Sequence, residues 1–141
     1  MIFDASLSLQ TLIGDLLAAD PKITAHVDPV NIRAGAIRPD NLPAIVLAPA
    51  RVAFLGHASG GHVMAEVRMM LHLWAVEDGS AVAQAVAGAA MLALMDAPRP
   101  DGFAIDDWQR PELVWMRDPA PERSYTHGTI ALRAVLRWRA A

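Results

Sequence analysis

The stretch from Val63 to Met95, VMAEVRMMLHLWAVEDGSAVAQAVAGAAMLALM, decides the fold. Its first part alternates. The odd positions Val63, Ala65, Val67, Met69, Leu71, Leu73 and Ala75 are all apolar, while the even positions include Glu66, Arg68 and His72. A period of two describes a strand with one face on a core. After Glu77-Asp78-Gly79-Ser80 the pattern changes to a helix, Ala81 to Met95, whose one polar side chain is Gln84. Asp78 or Ser80 is a suitable cap for it, and a helix apolar all round is expected to be buried on several sides. This block is scaffold with no chemistry on it.

The remaining elements follow outward from it. Leu9, Leu12, Ile13, Leu16 and Leu17 recur at helical spacing, which predicts a first helix from Asp4 or Ser6 to Ala19, stopped by Asp20-Pro21. Pro21, Pro29, Pro39 and Pro43 make the next segment irregular, with a short extended piece near Val30 to Arg33. A strand starts at Ala44 to Leu47, bends or lies on an edge at Pro49, and resumes at Arg51 to Leu55. Gly56 to His62 reads as a flexible hairpin tip. Pro98 and Pro100 end the second helix, and extended segments follow near Phe103 to Trp108 and Glu112 to Arg117. Asp118 to Pro121 is a further loop. A last strand, Thr126 to Arg139, places Ile130, Leu132, Ala134, Leu136 and Trp138 on one face and Arg133, Arg137 and Arg139 on the other. The order is helix, strands, helix, strands with hairpin-length connections. It predicts an α+β single domain over residues 1–141, an antiparallel sheet with two helices on one face.

Composition narrows the function. A hydrophobic fraction of 54% in 141 residues predicts one dense core or a large buried interface. No apolar run reaches the roughly 18 residues of a spanning helix, and the start lacks the basic residues of a signal peptide. Cysteine is absent, which removes disulfides, thiolate zinc sites and a cysteine nucleophile together. A net charge of −3 with no basic run disfavours a general nucleic-acid binder. Lys22 is the sole lysine among 12 Lys+Arg, which with the alanine excess points to a GC-rich bacterial genome, and a cytosolic origin fits best.

Candidate chemistry is sparse. His57 and His62 are five apart in a glycine-rich segment without a carboxylate between them, so they do not make a metal set by themselves. Asp101, Asp106 and Asp107 lie beside turn residues, where aspartate bonds its own backbone or caps a helix. No Gly-x-Ser-x-Gly elbow and no phosphate loop occurs. The four tryptophans, Trp74, Trp108, Trp115 and Trp138, suit core rims and interface anchors. Three arginines on one strand face repel unless carboxylates oppose them. Glu66, on the polar side of the long strand, or a neighbouring subunit is the expected source.

These residues, in this order, resemble the tail-completion, or tail-terminator, family of long-tailed phages and gene transfer agents. The resemblance is carried by Leu16-Leu17-Ala18-Ala19-Asp20-Pro21 and then Leu42-Pro43-Ala44-Ile45-Val46-Leu47. It continues through Val67-Arg68, Leu73-Trp74-Ala75 with Ala81 to Leu94, and closes on His127-Gly128-Thr129 with Leu132-Arg133. It implies no catalytic residues, no cofactor and no metal. It implies a ring of subunits, six being typical, at the head–tail junction of a particle assembled in the bacterial cytoplasm. The partners implied are other copies of the chain, the tail tube protein and a head-side stopper or connector. DNA is only cargo in the channel, and no membrane is involved. Gly56, His57, Ser59, Gly60 and His62 at the tip, Glu66, Arg68 and His72 on the long strand, and Arg133, Arg137 and Arg139 on the last are the expected contacts to a neighbour or partner. The alternatives are another neck component (stopper or head–tail adaptor), a small metal-dependent enzyme using His57, His62 and Asp106-Asp107, and a bacterial adaptor that recognises proteins through its arginine face.

Overall fold

The computed structural model describes residues 3–35, 39, 41–76, 80–116 and 125–140. Helix α1 is Ala5–Ala18, with Asp4 at its N-cap accepting from the Leu7 amide at 2.9 Å. A short helix α2, Pro21–Thr24, is capped by Asp20, and a 3-10 turn covers Pro29–Asn31. The strands are β1, Ile32–Ala34, β2, Ala44–Leu47, β3, Arg51–Ala58, and β4, His62–Val76. Helix α3, Ser80–Ala93, precedes β5, Ala104–Met116, and β6, Tyr125–Arg139. All six strands form one sheet in the order β1-β2-β4-β6-β5, with β3 also on β4. Pairing is antiparallel except between β1 and β2, which run parallel.

Alternation along β4 and β6 dictates the layering. Val67 lies opposite Ala134, Met69 opposite Leu132 and Leu71 opposite Ile130, all on the face under the helices. Leu9, Ile13 and Leu17 from α1, and Val86, Ala90 and Leu94 from α3 and its end, pack into the same core. Trp108 donates its indole N–H to the Leu94 carbonyl at 2.9 Å, which satisfies a backbone acceptor past the end of α3 and ties it to β5. Gly128 has a packing reason. A Cβ there would come within 2.9 Å of the Trp115 ring, which lies across the glycine from the neighbouring strand.

The expected bend at Pro49 is present. β2 pairs with residues 71–74 of β4 and β3 with residues 62–68, on the same side of β4, with 48–50 between them. Several expectations are corrected. Gly56, His57 and Ala58 are not loop residues. They continue β3, and the register shift between Phe54 and Gly56 shows why a glycine there reads as a turn: it sits at a bulge. The turn itself is Ser59–Gly61, where Gly60 and Gly61 take φ +81° and +76°. The two segments around Trp108 and Glu112 are one strand, with irregular pairing between Ile105 and Asp107 and between Gln109 and Glu112, the latter holding Pro111. Helix α3 is not buried all round: Ala81, Gln84, Ala85, Gly88 and Leu92 form an exposed stripe. Glu77, Asp78, Arg117 and the loop 118–121 lie outside the described residues, and with them the proposed Asp78 cap.

Leu71 is 0% exposed in the middle of the core, so Leu71→Ala should cost about 2–5 kcal/mol from lost burial and the cavity left behind. Leu92→Ala, at an exposed helix position, should stay within about 0.5 kcal/mol. Urea unfolding of both variants checks the contrast, and equal losses would contradict this account of the core.

Candidate assembly interface

The face of the sheet away from α1 and α3 divides into two halves. Near the β3–β4 hairpin it is charged. Arg51 of β3 lies opposite Arg68 of β4, Arg68 opposite Arg133 of β6, and Arg133 opposite Gln109 of β5, so one row across four strands carries three arginines. Like charges directly opposite are unfavourable, and carboxylates one row away answer them. Glu66 accepts from Arg68 Nε at 2.7 Å and from Arg133 Nε at 2.8 Å. Asp107 accepts from Arg133 at 3.0 Å, and Asp106 takes Arg137 through two nitrogens at 2.9 and 3.2 Å. Hydrogen bonds from Arg68 and then Arg133 hold the Glu66 carboxyl below its ordinary value. Arg133 is raised by Asp107 and then Glu66, and Arg137 by Asp106. The row borders an open concavity of about 410 Å³ that also touches His72 and Glu112.

The other half is packed. Ala44, Val46, His72, Trp74, His127 and Thr129 are buried there although they face away from the helices. The Trp74 and His127 rings stack at 3.8 Å and 8°, and His72 Nδ1 lies 2.9 Å from His127 Nε2. This contact needs one imidazole to donate and the other to accept. Burial pushes the His72 pKa down.

The structure distributes the expected contact residues accordingly. Glu66, Arg68, Arg133 and Arg137 form one connected charged surface, and Arg139 is exposed at its hairpin end, opposite His62. His72 is a correction: it is 8% exposed and engaged with His127, so it does not stand on the surface as expected. His57 pairs with Val63 and His62 with Ala58, so the two imidazoles point to opposite faces of the hairpin and cannot share an ion. His62 Nδ1 is 2.8 Å from the Ser59 carbonyl. Among the described residues no group of three or more His, Asp or Glu is placed to hold a metal ion.

Asp106 and Asp107 were expected as turn or capping residues, and they lie instead within β5 as the ion-pair partners of Arg137 and Arg133. The signal for this was the arginine face itself, which demanded acids. The bulge that aims both neighbouring aspartates at arginines has no mark in the sequence pattern. The exposed apolar residues Val52, Phe54 and Leu55 on β3 were also missed, because a strand in alternation reads as half-buried and β3 is exposed nearly throughout.

The described surface thus combines helices on one face of the sheet, a charged half of the opposite face and exposed apolar residues on β3. Residues 11–137 match the tail completion protein gp17 family, and the chain belongs to that family. The fold is similar to a chain in the virion of a native gene transfer agent particle, at a TM-score of 0.71 and 20% identity over 96% of this chain and 99% of that one. No curated protein matches the sequence. No helix among the described residues is long and apolar enough to cross a membrane.

Two pH effects follow from the geometry. Because the Glu66 carboxyl is held below its ordinary 4.5, the stability it contributes is present above that pH and is lost as pH falls through the folded-state value. Glu66→Gln should therefore be less stable than wild type at neutral pH and converge with it in acid, as read by urea midpoints between pH 7 and 3. A gap that stays constant would contradict the assignment. His72, lowered from 6.5, binds its proton more readily when unfolded, so wild-type stability should decline as pH falls below that value. His72→Asn, which keeps a polar group near the Nδ1 position without titrating there, should show a shallower decline from pH 7 to 5. An unchanged slope would place the titration elsewhere.

Proposed function

We propose that the chain is a non-enzymatic tail-terminator subunit: copies of it assemble into a ring, six being typical, that caps the tail tube and joins it to the head-side connector of a phage or gene transfer agent. The observation that carries this reading is the family match over residues 11–137. The similarity of fold to a chain of a gene transfer agent virion, over nearly the full length of both, supports it. So does the division of the molecule into a closed core and a charged surface whose acids and bases hold one another in fixed positions. Exposed ion pairs of this kind add little to stability; their value is the preset pattern they offer a partner.

On this reading the β3–β4 tip with Ser59 and Gly60, the Glu66–Arg68–Arg133 network and Arg137 with Arg139 meet neighbouring subunits, the tube or the connector. The excess of acidic groups in the chain, at net charge −3, keeps a DNA-conducting channel from gripping its cargo. The particle's head–tail junction is the place of work.

Particles from a producing strain that lacks this gene should show tails of uncontrolled length without attached heads. Cryo-electron microscopy of complete particles should find the chain as a ring directly on the tube. Density one ring nearer the capsid would make it a stopper or adaptor instead, and its absence from the junction would overturn the reading.

A further inference from the structure

Among the described residues three strands, β1, β3 and β5, have a neighbour on one side only, and β1 is just three residues long. Among the described residues no strand pairs with the outer side of β3 or of β5, and the two strands lie on opposite sides of the β4–β6 pair. From β3 to β4, β4 to β6 and β6 to β5 each step is antiparallel. Three reversals make β5 run opposite to β3. Two copies set side by side in the same orientation, as head-to-tail ring contacts require, therefore bring β3 of one against β5 of the next in antiparallel sense.

The two edges also match in position and charge. The row Phe54, Ala65, Leu136, Ile105 spans the sheet from edge to edge, and each edge strand has a bulge one step from it, at Leu55 in β3 on the side of the hairpin tip and at Asp106 in β5 on the side away from it. Bulges so close to a common row limit the registers that the two edges can share. Proline bounds both windows, Pro49 before β3 and Pro111 after residue 109, so the segments between them keep their ladder donors. β3 carries Arg51 and no acid, whereas residues 104–109 carry Asp106 and Asp107 and no base. Phe54 is 73% and Leu55 56% exposed, an apolar edge strand of the kind that soluble proteins otherwise blunt or cover.

We propose that the outer edge of β3 (Arg51–Ala58) pairs with the outer edge of residues 104–109 in the next copy, so that one sheet runs on from subunit to subunit around the ring. This deepens the ring reading and rests on it. Main-chain hydrogen bonds supply the joint, and the Arg51-to-aspartate contact fixes which edges meet.

The cysteine-free sequence allows a direct test. Ala53→Cys and Gln109→Cys place thiols on the same face of the two edges. A short bis-maleimide crosslinker, which spans a small register offset, is applied to assembled particles and to concentrated purified chain. The double variant should give a ladder of covalent oligomers, a mixture of the two single variants should give dimers only, and either single variant alone should give none. Unchanged circular dichroism and melting verify that the variants fold. Crosslinking of Ala53→Cys with itself would overturn the proposal, because it would mean that like edges meet. Rings seen by native mass spectrometry or microscopy without any crosslink would overturn the edge pairing and leave the ring standing. Failure to crosslink together with absence from the junction would remove both.

Discussion

Everything in this molecule hangs on the pairing of β4 with β6. Fifteen consecutive residues of each strand, His62 to Val76 and Arg139 to Tyr125, face one another in unbroken antiparallel register. A slip of one residue would turn every apolar side chain of β4 from the core to the opposite face. The ladder thus sets which side the helices cover and where the arginines stand. It also decides which side chains share the charged row. The shorter strands are added to its flanks, and the helices to its apolar side.

That constraint explains how one sheet carries two kinds of surface. The helix side is filled by Leu, Ile, Val, Ala and Met from both strands, closed by α1 and α3. The opposite side holds a network in which Glu66 bridges two arginines that would otherwise repel. Farther along the same side the chemistry changes to a Trp74–His127 stack with His72 beside it, buried within a single chain.

Much of this was legible in order along the chain. The alternation from Val63 to Ala75 and the last strand read over Thr126 to Arg139 located the central strands to within a residue or two. Of the two caps offered, Asp4 and Ser6, it is Asp4 that starts α1, which ends just before Asp20-Pro21. The demand for a carboxylate beside the arginines was legible too, and Glu66 answers it. What escaped were features whose signal is spread over distant segments. Asp106 and Asp107 become arginine partners only through an irregular stretch of β5, and Gly56 continues a strand through a bulge. The burial of His72 depends on Trp74 and His127, the latter 55 residues away.

By itself the sequence determined the periodicities, hence the helices, the strands and the face each strand would bury, because apolar spacing is a local property of the chain. It also determined the family, since order and spacing of short matches survive without contacts. Only the tertiary structure decided the parallel pairing of β1, the exposed stripe of α3, the arginine row and the unpaired outer sides of β3 and β5. Each of these depends on which segments become neighbours, and neighbours across a sheet are set by register and strand order, which no local pattern encodes.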